Sequence, residues 1–153
     1  MDPFSAKLNE VLVNTFRSIL KVEEQTIKRS ERMDLTITEL HLLDTVSKSS
    51  GGRMVSDIAA DLCITLPSVT VAINKLQKKG YVTKKRCDLD RRVVYVALTE
   101  LGRKMNAVHR YFHESMVRAV TQGLSWKEKN AMLKGIHKLH AFFEKRLKAL
   151  EKL

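Results

Sequence analysis

The chain has 153 residues, and its 28 lysines and arginines against 17 aspartates and glutamates give a formal net charge of +11. That surplus favours a polyanionic partner, and 44% hydrophobic content suits one folded domain with appended helices rather than a disordered chain. No run of about 18 apolar residues, no signal-peptide pattern and only two cysteines, Cys63 and Cys87, argue against a membrane partner, export and a disulfide framework. The expected location is cytoplasmic.

Asp2-Pro3 has the form of a helix start, a capping residue followed by proline in the first turn. Leu8, Val11, Leu12, Phe16, Ile19, Leu20, Glu23 and Ile27 then fall on one stripe of a first helix, which the polar stretch from Lys28 to Asp34 ends. Thr36-Ile37-Thr38-Glu39 reads as a capping box for a second helix through Leu40, Leu43 and Val46, broken by Gly51-Gly52. Ser56-Asp57 is expected to cap a short third helix, Asp57 to Leu62, and Thr65 a fourth, with Pro67 in its first turn and Gly80 just past its end. Two β-like runs follow, Val82–Arg86 and Val93–Leu98, joined by a polar turn. Thr99 can cap a fifth helix running to about Gln122 and closed by Gly123. Ser125-Trp126-Lys127-Glu128 is a second capping box and opens a last helix carrying Met132, Ile136, Leu139, Phe143, Leu147 and Leu150. The expected fold is therefore mostly α with a small β-hairpin, in the order ααααββαα.

The chemistry concentrates between Val55 and Leu98. Two short helices joined by a tight turn make a helix-turn-helix. In the second, Val69, Ile73, Leu76 and Gly80 define an inward face. Pro67, Ser68, Thr70, Val71, Asn74, Lys75 and Lys78 define the outward one, small and polar near the N-terminus and basic beyond. A helix entering a major groove needs that gradient. Short side chains let the backbone approach base edges, Thr and Ser can donate to phosphates or bases, Asn74 can pair with adenine, and lysines anchor phosphates. From Lys75 to Arg92 eight basic residues face only Asp88 and Asp90, a local net of +6 within the total of +11. Arg91 and Arg92 fall at the hairpin tip, where a guanidinium can enter a narrow minor groove, and Asp90 can brace the tip by pairing with a nearby arginine. The expected DNA contacts are Thr65, Pro67, Ser68, Thr70, Val71, Asn74, Lys75, Lys78, Asp90, Arg91 and Arg92. No G-x-S-x-G, H-E-x-x-H or glycine-rich phosphate loop occurs, so no enzyme is expected.

The segment Leu62 to Thr99, with its Leu-rich recognition helix, Lys-Lys-Gly-Tyr-Val, Asp-Arg-Arg and a strand ending in Leu-Thr, resembles the winged helix-turn-helix of the MarR family of transcriptional regulators. The resemblance implies residues 1–34 as a dimerisation helix, 35–99 as the DNA-binding domain and 100–153 as further dimerisation helices. It also implies a homodimer reading a pseudo-palindromic double-stranded operator, with half-sites about one helical turn apart. Val22-Glu23-Glu24, Thr38-Glu39-Leu40-His41 and His109 to Val117 are similar to the FabT branch, which represses fatty-acid synthesis genes. That likeness implies acyl-acyl-carrier-protein as co-repressor, no required cofactor, and an acyl-chain pocket involving Phe16, Ile19, Leu20, Glu23, His41, His109, Phe112 and His113.

His109 and His113 stand at i,i+4, a spacing that can also hold a metal. The chain resembles the zinc-sensing MarR branch in this respect, which implies Glu24, His41, His109 and His113 as an alternative ligand set and a zinc-responsive or small-molecule-responsive MarR-type repressor as the alternative function. His137 and His140 are expected to face solvent or a dimer seam. Cys63 is expected to be a small buried hydrophobe, and Cys87, between Arg86 and Asp88, to be a candidate oxidant-sensing thiol.

Overall fold

The computed structural model describes residues 1–29, 34–90 and 92–150. In chain order the elements are α1 (Pro3–Arg29), α2 (Ile37–Ser47), β1 (Arg53–Met54), α3 (Val55–Leu62), α4 (Leu66–Lys78), β2 (Val82–Arg86), β3 (Val94–Leu98), α5 (Glu100–Thr121) and α6 (Trp126–Leu150). The chain divides into two compact units, residues 1–106 and 107–153. No single helix among the described residues is long and apolar enough to cross a membrane.

Most starts are set by the expected side chains. Ser5 N donates to Asp2 Oδ1 at 3.1 Å. At α2 the box is closed both ways: Glu39 N donates to Thr36 Oγ1 at 3.2 Å, and Thr36 N donates to Glu39 Oε2 at 2.8 Å. Gly102 N donates to Thr99 Oγ1 at the head of α5, and Ser125 with Glu128 repeats the reciprocal box at α6.

Two features depart from expectation. A third strand, β1, precedes α3, so the order is ααβααββαα. Gly52, at φ 92°, turns the chain into it within close reach of the Val96 carbonyl, where a side chain would be crowded. Arg53 and Met54 then pair antiparallel with Val96 and Tyr95. The sheet order is β1-β3-β2, with β2 and β3 in register from Val82↔Leu98 to Arg86↔Val94. Helix α3 consequently starts at Val55. Its N-cap is Met54, with no side-chain cap bond, and Ser56 and Asp57 lie inside the first turn rather than capping it. There Asp57 still favours the positive end of the helix dipole.

The core of the first unit gathers Leu40, Leu42, Leu43 and Val46 from α2, Ile58 from α3, Val69, Ile73 and Leu76 from α4, Tyr81, and Val82 and Val96 from the sheet. The inward face expected of α4 is therefore the buried one, with Val69, Ile73 and Leu76 all at or below 1% exposure. Glycine is required at 102, because a Cβ there would run into the Tyr81 carbonyl oxygen, which already accepts from Thr99 N at 3.0 Å. In the second unit α6 has no buried residue.

Candidate nucleic-acid interface

Helices α3 and α4 meet at 112°, within the range of a helix-turn-helix. The turn works because Cys63 adopts the left-handed conformation, φ 51° and ψ 43°, and its N–H closes on the Ala59 and Ala60 carbonyls. This conformation turns the Cys63 side chain outward. The cysteine is exposed, contrary to the expectation of a buried one; the core contact it was expected to make is supplied by Ile58 and Ala59 one turn earlier. Cys87 is half-buried.

With Val69, Ile73 and Leu76 inside, Pro67, Ser68, Thr70, Val71, Asn74, Lys75 and Lys78 all face solvent. Their hydrogen bonds refine what each can offer. Thr65 caps the helix by accepting from Ser68 N at 3.4 Å, and the two hydroxyls lie 2.8 Å apart. Thr70 Oγ1 donates back to the Leu66 carbonyl at 2.8 Å. In the free protein its proton is turned back onto the helix. Val71, 54% exposed, offers methyl groups suited to the C5-methyl of thymine. Asn74 Oδ1 accepts from Lys84 Nζ at 2.6 Å, which links α4 to β2.

The hairpin stands beside this face. Lys84, Lys85 and Arg86 are exposed on β2. The connection folds back through Cys87 N to Val93 O at 2.9 Å and Val93 N to Asp90 O at 3.0 Å. Asp90 braces the tip through the backbone: its Oδ1 accepts from Arg92 N at 2.9 Å. That short turn leaves Arg92 exposed. Arg91 lies outside the described residues. A cleft of about 280 Å³ separates α4 from the hairpin; Leu66, Thr70, Ile73 and Asn74 line one side and Lys84, Arg92, Val93 and Val94 the other.

One member of the basic cluster belongs to the fold instead. Lys79 Nζ lies 3.0 Å from both Glu39 carboxylate oxygens and 3.7 Å from Asp34. Burial pushes the Glu39 carboxyl up, but the Thr36 N–H and the Lys79 ammonium outweigh it and hold the group below its ordinary range. Burial likewise pushes Lys79 down, and the facing carboxylates reverse that, so it stays charged. A second clamp steadies the helix-turn-helix from behind. Asp61 accepts from Arg53 at 2.6 Å and Lys48 at 3.0 Å, and Arg53 also donates to the Thr45 carbonyl. The Arg53 and Lys48 donors hold the Asp61 carboxyl at about 2.

The residues expected to form an effector site are distributed over both units. In the first unit, Phe16 is 68% and Leu20 44% exposed, and Glu23 is buried. The carboxylate 3.7 Å from His41 Nε2 is Glu23 Oε1, not Glu24, which faces solvent one residue further round the helix. In the second unit, His109 is buried, Phe112 and His113 are half-buried, and the His109 and His113 Nε2 atoms stand 3.0 Å apart. His140 is exposed beside Glu144, and His137 is also exposed.

Comparison with known proteins agrees with this geometry. The MarR family model matches residues 35–94, the stretch from α2 to the start of β3. The crystal structure of Streptococcus pneumoniae FabT in complex with DNA is similar at a TM-score of 0.84 and 35% identity, over 92% of this chain and 98% of that one. The adhesin competence repressor AdcR of Streptococcus pyogenes is similar at a TM-score of 0.65 and 30% identity, over 95% of this chain and 98% of that one. The helix-turn-helix-type transcriptional regulator YhjH of Bacillus subtilis is 27% identical over 69% of this chain, and the match spans 59% of YhjH's own length.

Proposed function

The chain belongs to the MarR family of DNA-binding transcriptional regulators, and from that premise we propose that it is a homodimeric repressor of fatty-acid biosynthesis genes with acyl-acyl-carrier-protein as co-repressor. The observation that carries the DNA-binding part is the pairing, in one unit, of the solvent face of α4 with the cationic hairpin. A groove-reading helix and a minor-groove arginine then lie side by side. In a two-fold dimer the recognition helices would address a pseudo-palindrome. Such a role on chromosomal DNA makes the cytoplasm its place of action.

The fatty-acid role is supported by the FabT-like segments around Glu23, His41 and His109–Val117 and by the 35% identity to FabT. The half-buried Phe112 and the exposed Phe16 and Leu20 supply apolar surface of the kind an acyl chain requires. A second reading, a zinc-responsive repressor, is favoured by the imidazole pair. Two nitrogens on one tetrahedral zinc at about 2.0–2.1 Å lie roughly 3.3 Å apart, close to the 3.0 Å between His109 and His113. These two residues would hold the ion, which would supply a coordinate link between turns of α5.

A gel-shift titration on a duplex selected by the protein separates the readings. Long-chain acyl-acyl-carrier-protein should tighten operator binding by about tenfold, and zinc or a chelator should leave it unchanged. The opposite pattern would establish the zinc reading and overturn the acyl one.

A further inference from the structure

Free asparagine recognises adenine with both ends of its amide: Oδ1 accepts from N6 and Nδ2 donates to N7. Asn74 is not free in this sense. Lys84 Nζ lies 2.6 Å from its Oδ1, and both side chains are exposed on the same cleft between α4 and the hairpin. An ammonium only donates, so the asparagine atom facing it has to be the carbonyl oxygen, and the NH2 group has to point away. The pair then presents mainly donors, the two N–H bonds of Asn74 and the remaining N–H bonds of Lys84, against one lone pair left on Asn74 Oδ1. The complementary base edge offers adjacent acceptors, as guanine does with N7 and O6. Adenine would bring its N6 donor against an ammonium.

We propose that Lys84 is a specificity-determining residue which, by holding the Asn74 carbonyl, makes this position of α4 read guanine rather than adenine. The inference rests on the DNA-binding reading above. Its structural basis is the anchoring of Lys84 on β2, where its Cα pairs with that of the buried Val96. The lysine stem therefore rises from a fixed strand, and the hairpin takes part in base choice as well as in backbone contact.

The test uses the full-length protein as wild type, Lys84→Met, Lys84→Arg and Asn74→Ala, each checked for an unchanged thermal midpoint. Each variant is put through binding selection from a randomised duplex library and then titrated on duplexes differing by one G·C to A·T exchange. The wild type should prefer guanine over adenine at the position facing Asn74 by about tenfold. Lys84→Met, which keeps the stem and loses the donors, should favour adenine there with the rest of the motif unchanged. Lys84→Arg should keep guanine, and Asn74→Ala should lose the preference at that position. If Lys84→Met binds more weakly but selects the wild-type motif, Lys84 is a phosphate contact and the inference is overturned while the DNA-binding reading stands. A wild type that selects no motif would overturn both.

Discussion

At the scale of single residues, the hydrogen bonds decide what an exposed side chain is able to offer. Helical spacing in the sequence was enough to find the solvent face of α4, because three buried positions leave the others outside. It was not enough to tell that Thr70 spends its hydroxyl proton on Leu66 or that Asn74 is held by Lys84, since both depend on a backbone or strand partner. Lys79 counted as one of eight cations in the sequence and is a structural partner of Glu39 in the fold. Cys63 looked like core because a free cysteine commonly behaves as a small buried hydrophobe, yet at the left-handed turn it is exposed. Arg92 is the residue where the sequence and the fold agree most directly: the Asp90 turn holds its backbone and leaves the guanidinium in solvent. Arg92→Ala should therefore weaken operator binding by about 1–3 kcal/mol without changing the thermal midpoint. Wild-type affinity for that variant in a gel-shift titration would remove the hairpin tip from the interface.

At the scale of elements, helix starts with a side-chain cap were legible to within a residue or two, because the capping box is local chemistry. The start of α3 was not, because its cap is Met54, and what fixes it is tertiary: β1 pairs with β3 immediately before it. Two residues are too few to carry an alternation signal. The same region holds the Arg53–Asp61–Lys48 clamp that joins β1, α3 and the end of α2. Asp61, at about 2, and Glu39, also lowered, are both depressed in the folded protein. A carboxyl with a depressed folded pKa contributes stability above its unfolded value of about 4 and loses it as pH falls through the folded one. The urea midpoint should thus drop as pH falls from about 4 towards 2. Asp61→Asn should show a shallower drop, since the substitution removes one of the depressed carboxyls. Equal pH dependence in wild type and variant would mean that the clamp adds nothing to stability.

At the scale of the whole molecule, the helix order and the presence of the hairpin followed from the sequence, and family similarity over nearly the full chain agrees with them. The long terminal helices are where the sequence pattern and the single chain differ most. Residues of the α1 stripe such as Leu8, Val11 and Phe16 are exposed, and so are Phe142, Phe143 and Leu147 on α6. An apolar stripe at helical spacing names a buried face without naming what buries it. Exposed apolar surface of this extent is typical of an interface, which accords with the proposed homodimer.

The account stands or falls on whether α4 and the hairpin discriminate among sequences of B-form duplex. Fluorescence anisotropy with a duplex selected by the protein and a scrambled duplex of equal length and composition, at several salt concentrations, measures this most directly. The selected duplex should bind about a thousandfold or more tightly, and both affinities should fall with salt as phosphate contacts are screened. Equal affinity for the two duplexes at every salt concentration would reduce the basic surface to charge alone and contradict the account.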